Sequence, residues 1–263
     1  MLNDTMTDML NGMSIGSKTR DYKSETENRV RWIRGVLEES GAGGIIFGSS
    51  GGKDSALAGI LCKMAAENTL GVIMPCGSKV NYGSDADDAS ALAEQFGIRT
   101  ITVDLTGARD VITGALGAGV SGMALNNIAP RLRMTALYAI GQSMGYLVAG
   151  TGNCSERYVG YFTKWGDGAC DFNPIGDLTA SEVIGFLKCL NAPRRIVEKA
   201  PSAGLFDGQT DEGEMGVTYA AIDGYIKSAG AADLSARDKS VIERMHRATA
   251  HKRRMPPVYG EDG

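Results

Sequence analysis

The chain has 263 residues, with 27 Lys and Arg against 31 Asp and Glu for a net charge of −4. That length closes a core without disulfides or metals, and the balance is too even for a dedicated nucleic-acid coat or a membrane-surface binder. The 36 glycines, about twice ordinary usage, have no period of three and accompany 43% hydrophobic residues, which excludes collagen and general disorder and points to many loops between packed elements. Cys62, Cys76, Cys154, Cys170 and Cys189 form no C-x-x-C pair, and the only histidines are His246 and His251, so a disulfide framework, a zinc knuckle and a histidine-rich metal site are all excluded. The expected compartment is a reducing cytoplasm. No run approaches about 18 consecutive apolar residues, so no membrane span is expected.

Residues 1–22, with Asp4 and Asp8 and no continuous apolar core, read as a loosely ordered leader and not a secretory signal. A single α/β domain is expected over 23–263. Val30, Ile33, Val36 and Leu37 recur at helical spacing over 23–40, with Gly41 as the stop. Gly44-Ile-Ile-Phe-Gly48 is a buried strand by its bounded apolar run. Helix 55–66, strand 70–75, helix 85–97 and strand 100–104 follow, then a helix from Pro130 to Gly145 and a strand over 146–150. This alternation predicts an open parallel sheet with helices on both faces. Residues 151–177 read as a long loop, and long loops in compact domains are often functional. Helices are predicted at 179–190, 217–228 and 234–247.

The sharpest local feature is Gly48-Ser49-Ser50-Gly51-Gly52-Lys53-Asp54-Ser55, at the junction of the first strand and its helix. Glycines there let backbone N–H groups turn toward an anion, and the helix start adds its positive dipole end. It is not a Walker A loop, because Phe47 stands where the first glycine belongs and Asp54 follows Lys53. A carboxylate beside phosphates needs a cation, Mg²⁺ by ordinary chemistry; the plainer reading of Asp54 is a helix N-cap.

Ser50-Gly-Gly-Lys-Asp-Ser55 resembles the pyrophosphate loop of the ATP pyrophosphatases. Arg131-Leu-Arg133-Met134, Gly150-Thr151-Gly-Asn-Cys-Ser-Glu156, Gly160 to Asp171, Asn173 to Leu178, Lys199-Ala-Pro-Ser202-Ala, Gly208 to Glu212 and His251 to Pro256 are similar, in order and spacing, to the NAD synthetases. The likeness covers about 24–259 and implies a Rossmann-like, adenine nucleotide alpha hydrolase-like fold. It also implies a reaction: ATP adenylates the carboxylate of deamido-NAD, and ammonia displaces AMP. Gly48, Ser49, Ser50, Gly51, Gly52, Lys53, Asp54, Ser55, Thr151 and Ser202 would contact ATP, and Asp54 and Glu156 would hold Mg²⁺. Lys53, Asp54 and Glu156 would form the catalytic group. Arg131, Lys164, Asp171, His251 and Lys252 would contact deamido-NAD. A homodimer with substrate sites at the interface is implied, with no nucleic-acid or membrane partner. The length leaves no room for the glutamine-hydrolysing domain of larger relatives, so free ammonia is the expected donor.

The sequence departs from the family pattern in three places. Gly152-Asn153 stands where many relatives have Asp-His, Ala180 aligns with a lysine that touches ATP, and Gly204 replaces a common Asp. Lys53 or Lys199 would have to compensate at the second position. Two other readings are compatible with the loop: an ATP pyrophosphatase acting on another substrate such as a tRNA base, and a non-catalytic nucleotide-binding regulator. On residue type alone, Arg131 and Lys164 read equally as solvated charges, Trp165 as a packing residue, and Cys154 and Cys170 as inert fillers.

Overall fold

The structure is a computed structural model that describes residues 20–77, 83–199 and 210–260. Most of the expected leader, Ser202 and Gly204, and much of the loops near 76–86 and 200–214 lie outside the described residues. Helix α1 (Tyr22–Ser40) starts where Asp21 accepts from the Lys23 N–H and stops at Gly41 in the left-handed region. Strand β1 (Gly44–Gly48), α2 (Lys53–Ala65), β2 (Thr69–Ile73), α3 (Ser84–Phe96) and β3 (Arg99–Thr102) follow. Next come α4 (Thr106–Leu116), α5 (Gly122–Asn126), α6 (Ile128–Met144) and β4 (Tyr146–Val148).

The strands pair in parallel in the order β3-β2-β1-β4, with Ile46 opposite both Leu70 and Val148. The chain therefore leaves β1 in both directions, and the carboxyl ends of β1 and β4 flank the crevice where open α/β sheets bind ligands. Both faces of β1 are buried, as a covered parallel sheet requires. Ile45 and Phe47 pack with Ile33, Leu57, Ile60, Leu61 and Phe186 on one side. Ile46 packs with Leu70, Val72, Met74 and Val148 on the other, against Leu137 and Ile140 of α6. Gly59 admits the Phe47 ring: a Cβ there would lie 2.4 Å from Phe47 Cζ.

Past β4 the chain is helical: α7 (Cys154–Val159), α8 (Ala180–Cys189), α9 (Arg194–Val197), α10 (Asp211–Met215), α11 (Tyr219–Lys227) and α12 (Ala236–Ala248). Val159, Ile222, Tyr225, Ile226 and Ile242 make a second core among α7, α11 and α12. The expected loop over 151–177 therefore contains a helix, α7, nucleated by a reciprocal cap between Asn153 and Glu156. Helices α4 and α5 escape sequence reading for other reasons: α5 has five residues, too few for a period to register, and α4 carries Val111, Ile112 and Leu116 among threonines and glycines that are poor helix formers. No described helix is long and apolar enough to cross a membrane.

Arg29 ties α1 to the loop before α8. Its Nη1 and Nη2 donate to the two oxygens of Asp177 at 2.6 and 2.7 Å, and Arg20 pairs with Glu182 at 3.0 Å. Burial pushes the Asp177 carboxyl up, but the Arg29 hydrogen bonds and charge, with that of Arg20, hold it below the usual carboxylate range. A depressed carboxyl stabilises the fold above its unfolded pKa and ceases to as pH falls through the folded one. Arg29→Ala is therefore expected to lose about 2 kcal/mol at neutral pH, a buried-pair loss reduced because Asp177 is partly solvated. The deficit should narrow below about pH 4, as urea unfolding at several pH values would record.

Candidate functional site

A cavity of about 1020 Å³ opens at the carboxyl ends of β1, β2 and β4. Its lining combines the apolar Val72, Met74, Met134 and Leu137 with the charged Lys53, Asp54, Glu156 and Asp211. The loop from Gly48 to Ser55 forms part of that lining. Its hydroxyls organise it: Ser50 Oγ and Ser55 Oγ are 3.0 Å apart, and Ser55 Oγ also accepts from the Ser50 N–H and donates to the Gly52 carbonyl. Gly51 sits at φ +73° against the backbone of Asp85. Gly52 is the N-cap of α2 and supplies no side chain, so the positive end of the helix faces the cavity uncapped. Asp54 is consequently not the cap that residue type allows; it is the second residue of the helix.

Asn153 joins the two expected metal carboxylates. Its Nδ2 donates to Asp54 Oδ1 at 3.1 Å, its N–H donates to Glu156 Oε2 at 3.0 Å, and its Oδ1 accepts from the Glu156 N–H at 2.9 Å. Burial raises the Asp54 carboxyl to about 6 despite the Asn153 bond and the Lys53 charge, with Asp211 adding to the rise. Burial, then the Asp54 charge, push Glu156 well above the usual range. These are hard oxygen donors in carboxylate excess, with Lys53 the cation that counters Asp54, and they fit Mg²⁺. Among the described residues no group of three or more His, Cys, Asp or Glu could hold a metal. Phosphate oxygens would complete the shell of such an ion, as is usual for magnesium.

Lys53 reaches across the cavity wall, where its ammonium donates to the Lys199 carbonyl and burial lowers its pKa. Lys199 Nζ bridges Asp85 and Asp88 of α3 at 2.7 Å each. Both lysines expected to compensate for Ala180 thus line the cavity, as do Ala180 and Thr151. The Ala180 N–H donates to Ser155 Oγ at 3.2 Å.

Of the five residues expected to meet the dinucleotide, Lys252 lines the cavity, where it donates to the Gly160 and Phe162 carbonyls. Arg131, Lys164 and His251 are brought together outside it: Arg131 Nη2 donates to the Lys164 carbonyl at 3.3 Å and Lys164 Nζ to that of His251 at 2.8 Å. Asp171 stands apart from them, accepting from the Val148 N–H at 2.8 Å and the Tyr138 hydroxyl at 3.1 Å. Sequence reading missed the roles of Asn153 and Asp211. The Asn-x-x-Glu spacing of a capping box pointed to the first. Asp211, buried and holding the Tyr219 hydroxyl at 3.1 Å, has no local signature.

Comparison with known proteins bears on this site. Residues 25–256 match the family model for NAD synthase. The chain is 44% identical over 244 residues to the NH₃-dependent NAD⁺ synthetase of Carboxydothermus hydrogenoformans, covering 90% of this chain and 98% of the relative. Among solved structures it is similar to NMN synthetase from Francisella tularensis, with a TM-score of 0.87, 35% identity and coverage of 92% and 100%. It is also similar to the NH₃-dependent NAD synthetase of Campylobacter jejuni, with a TM-score of 0.76, 29% identity and coverage of 91% and 99%. The choice left open among ATP pyrophosphatases is thereby made: the chain belongs to the NAD synthase family, ligases of NAD biosynthesis.

Proposed function

We propose that this cavity adenylates the carboxylate of deamido-NAD with ATP and passes the acyl group to ammonia, giving NAD, AMP and pyrophosphate. The observation that carries this reading is the meeting, in one cavity, of the Gly48–Ser55 loop, the uncapped start of α2 and the Asp54–Asn153–Glu156 cluster. A carboxylate resists attack by an amine, and adenylation supplies a leaving group. The loop N–H groups, the Ser50 and Ser55 hydroxyls and the Lys53 ammonium would receive the triphosphate, while the apolar lining residues Val72, Met74, Met134 and Leu137 suit the adenine ring. Asp54 and Glu156, oriented by Asn153, would hold the magnesium. When bound, that ion neutralises charge developing on the pyrophosphate as it leaves. The protein's own contribution is chiefly positioning and charge neutralisation in a water-poor space.

The working unit in this reading is a homodimer. Val111 and Leu116 on α4 are apolar and 73% and 49% exposed, side chains that a second subunit could cover. Five unpaired thiols accord with a cytoplasmic site of action.

The test is a reconstitution. Purified protein with deamido-NAD, ATP, Mg²⁺ and ammonium is expected to form NAD, AMP and pyrophosphate in equal amounts, and little NAD when glutamine replaces ammonium. No NAD from the complete mixture would sink the reading. The likeness to an NMN synthetase, at the higher of the two TM-scores, favours one second reading: amidation of nicotinic acid mononucleotide to NMN. A higher kcat/KM for the mononucleotide in the same assay would select it.

A further inference from the structure

On residue type alone, Arg253 and Arg254 are a pair of solvated charges just past the 3₁₀ turn Ala250–Lys252. The fold separates them. Arg254 is exposed, whereas Arg253 is half-buried and turned back onto the protein. Its Nη1 donates to the Thr249 hydroxyl at 2.9 Å, the Tyr158 carbonyl at 3.1 Å and the Arg157 carbonyl at 3.4 Å, and its Nη2 donates to the His246 carbonyl. The three carbonyls belong to the last turns of α7 and α12. A guanidinium placed there meets the negative ends of two helix dipoles and supplies donors that helix ends lack.

Helix α7 needs that hold. It has six residues, far fewer than a helix requires to stand on its own bonds. The Gly160 and Tyr161 N–H groups both go to the Glu156 carbonyl. The carbonyls beyond it are met by side chains of the C-terminal segment. Arg253 takes those of Arg157 and Tyr158, the Thr249 hydroxyl donates to that of Val159 at 3.1 Å, and Lys252 donates to that of Gly160 at 2.8 Å. Thr249 is seated directly on Gly160, where a Cβ would lie 2.2 Å from its Oγ1. The other end of α7 carries the Asn153 cap and Glu156. The segment that grips α7 carries His251 and Lys252.

We infer that Arg253 is a positioning residue that couples dinucleotide binding to the metal carboxylate. By clamping the end of α7 to the Ala250–Lys252 turn, it fixes Lys252 relative to Glu156. Both of those residues line the cavity and Arg253 does not, so it acts through them and touches no reacting atom. The inference rests on the proposed amidation for what Lys252 and Glu156 each meet.

The test uses Arg253→Met, which keeps an apolar stem and removes the charge and its donors, with Arg253→Lys and the exposed neighbour Arg254→Met beside it. In ligand-free Arg253→Met, hydrogen exchange is expected to quicken about tenfold at the amides of 157–161 and to stay unchanged in β1 and β2. In turnover, the KM for deamido-NAD and the Mg²⁺ concentration for half-maximal rate should rise together, each about tenfold, as when a residue that orients a metal ligand is lost. Arg253→Lys keeps a charge but not the fork that reaches both helix ends, so both constants should rise by about threefold; this variant serves if Arg253→Met fails to fold. Arg254→Met should move neither constant. A lower kcat with both constants unmoved would make Arg253 a merely structural contact and overturn the inference, as would a rise in one constant alone or unchanged exchange at 157–161. The exchange measurement needs no turnover. An enzyme that makes no NAD would therefore refute the proposed function while leaving the hold of Arg253 on α7 to be judged by exchange.

Discussion

Asp54→Asn is expected to lower kcat by at least about 10³-fold while making the metal-free protein more stable, two changes of opposite sign that a merely structural residue would not produce. The loss follows from the role proposed for Asp54. Charge neutralisation at a transferring phosphate is commonly worth several kcal/mol, and removal of one of two carboxylates removes most of it. The gain follows from electrostatics already present in the fold. Burial is the main force holding Asp54 at about 6, and the nearby Asp211 adds to it, so the native state keeps a proton that the unfolded chain releases. A raised carboxyl opposes folding as pH climbs from the unfolded to the folded value and by a constant amount above that. Stability of the metal-free enzyme should therefore fall between about pH 4 and 6, by roughly 2 kcal/mol, and Asp54→Asn should flatten that decline. The asparagine carbonyl can still accept from Asn153 Nδ2, which keeps α2 and α7 joined. Urea unfolding in EDTA across that pH range, together with turnover in excess Mg²⁺, reads both effects. Undiminished turnover, or a variant less stable at neutral pH, would remove Asp54 from the metal site. Glu156→Gln should follow the same pattern, because burial and then the Asp54 charge are what raise Glu156.

Much of this site is legible in the sequence, for a definite reason. The Gly48–Ser55 loop is contiguous, and its chemistry depends on glycines and hydroxyls at fixed offsets between a strand and a helix, all of which are local properties. The parallel sheet is legible for a similar reason: β1 and β2 are apolar runs bounded by polar or glycine-rich loops, and burial on both faces removes ambiguity about which side points inward. What stayed hidden depends on distance in the chain. Asp211 shares the cavity lining with Asp54 and Lys53, far from both in the chain, and nothing near residue 211 marks that approach. Helix α7 was hidden because it has six residues and glycines on both flanks, too short for periodicity to register. The separation of Lys252 from Arg131, Lys164 and His251 was hidden as well. Their residue types say only that they are cations or a histidine, and only the fold shows that Lys252 reaches the cavity lining while the other three do not.

Gly51→Ala is expected to damage both stability and ATP binding, whereas Gly52→Ala, one residue away, should spare the fold. At Gly51 two independent obstacles coincide. Its φ of +73° is a conformation that alanine adopts only at a penalty, and the new methyl would lie 2.2 Å from the Asp85 carbonyl oxygen. That obstacle is backbone, and it is pinned: Lys199 holds the Asp85 and Asp88 carboxylates at 2.7 Å, and Arg195 Nε holds Asp88 at 2.9 Å. Relief requires moving either the phosphate loop or the start of α3, and each movement breaks contacts elsewhere. Left-handed strain and overpacking together come to about 3 kcal/mol. At Gly52 the backbone is extended with φ −89°, and a methyl would meet only Ser50 Oγ at 3.2 Å, a side-chain atom that need give only a few tenths of an ångström and can keep its bond to Ser55 Oγ. The cost there should stay within about 0.5 kcal/mol. Urea unfolding of the pair would measure the difference. Calorimetric titration with ATP and Mg²⁺ should show an affinity loss of at least about 100-fold in Gly51→Ala, because a displaced loop no longer aims its N–H groups at the phosphates. Equal stability in the two variants would mean that the phosphate loop and α3 do not meet in the way described, and with it would go the idea that α3, Lys199 and Arg195 hold the loop in its binding shape.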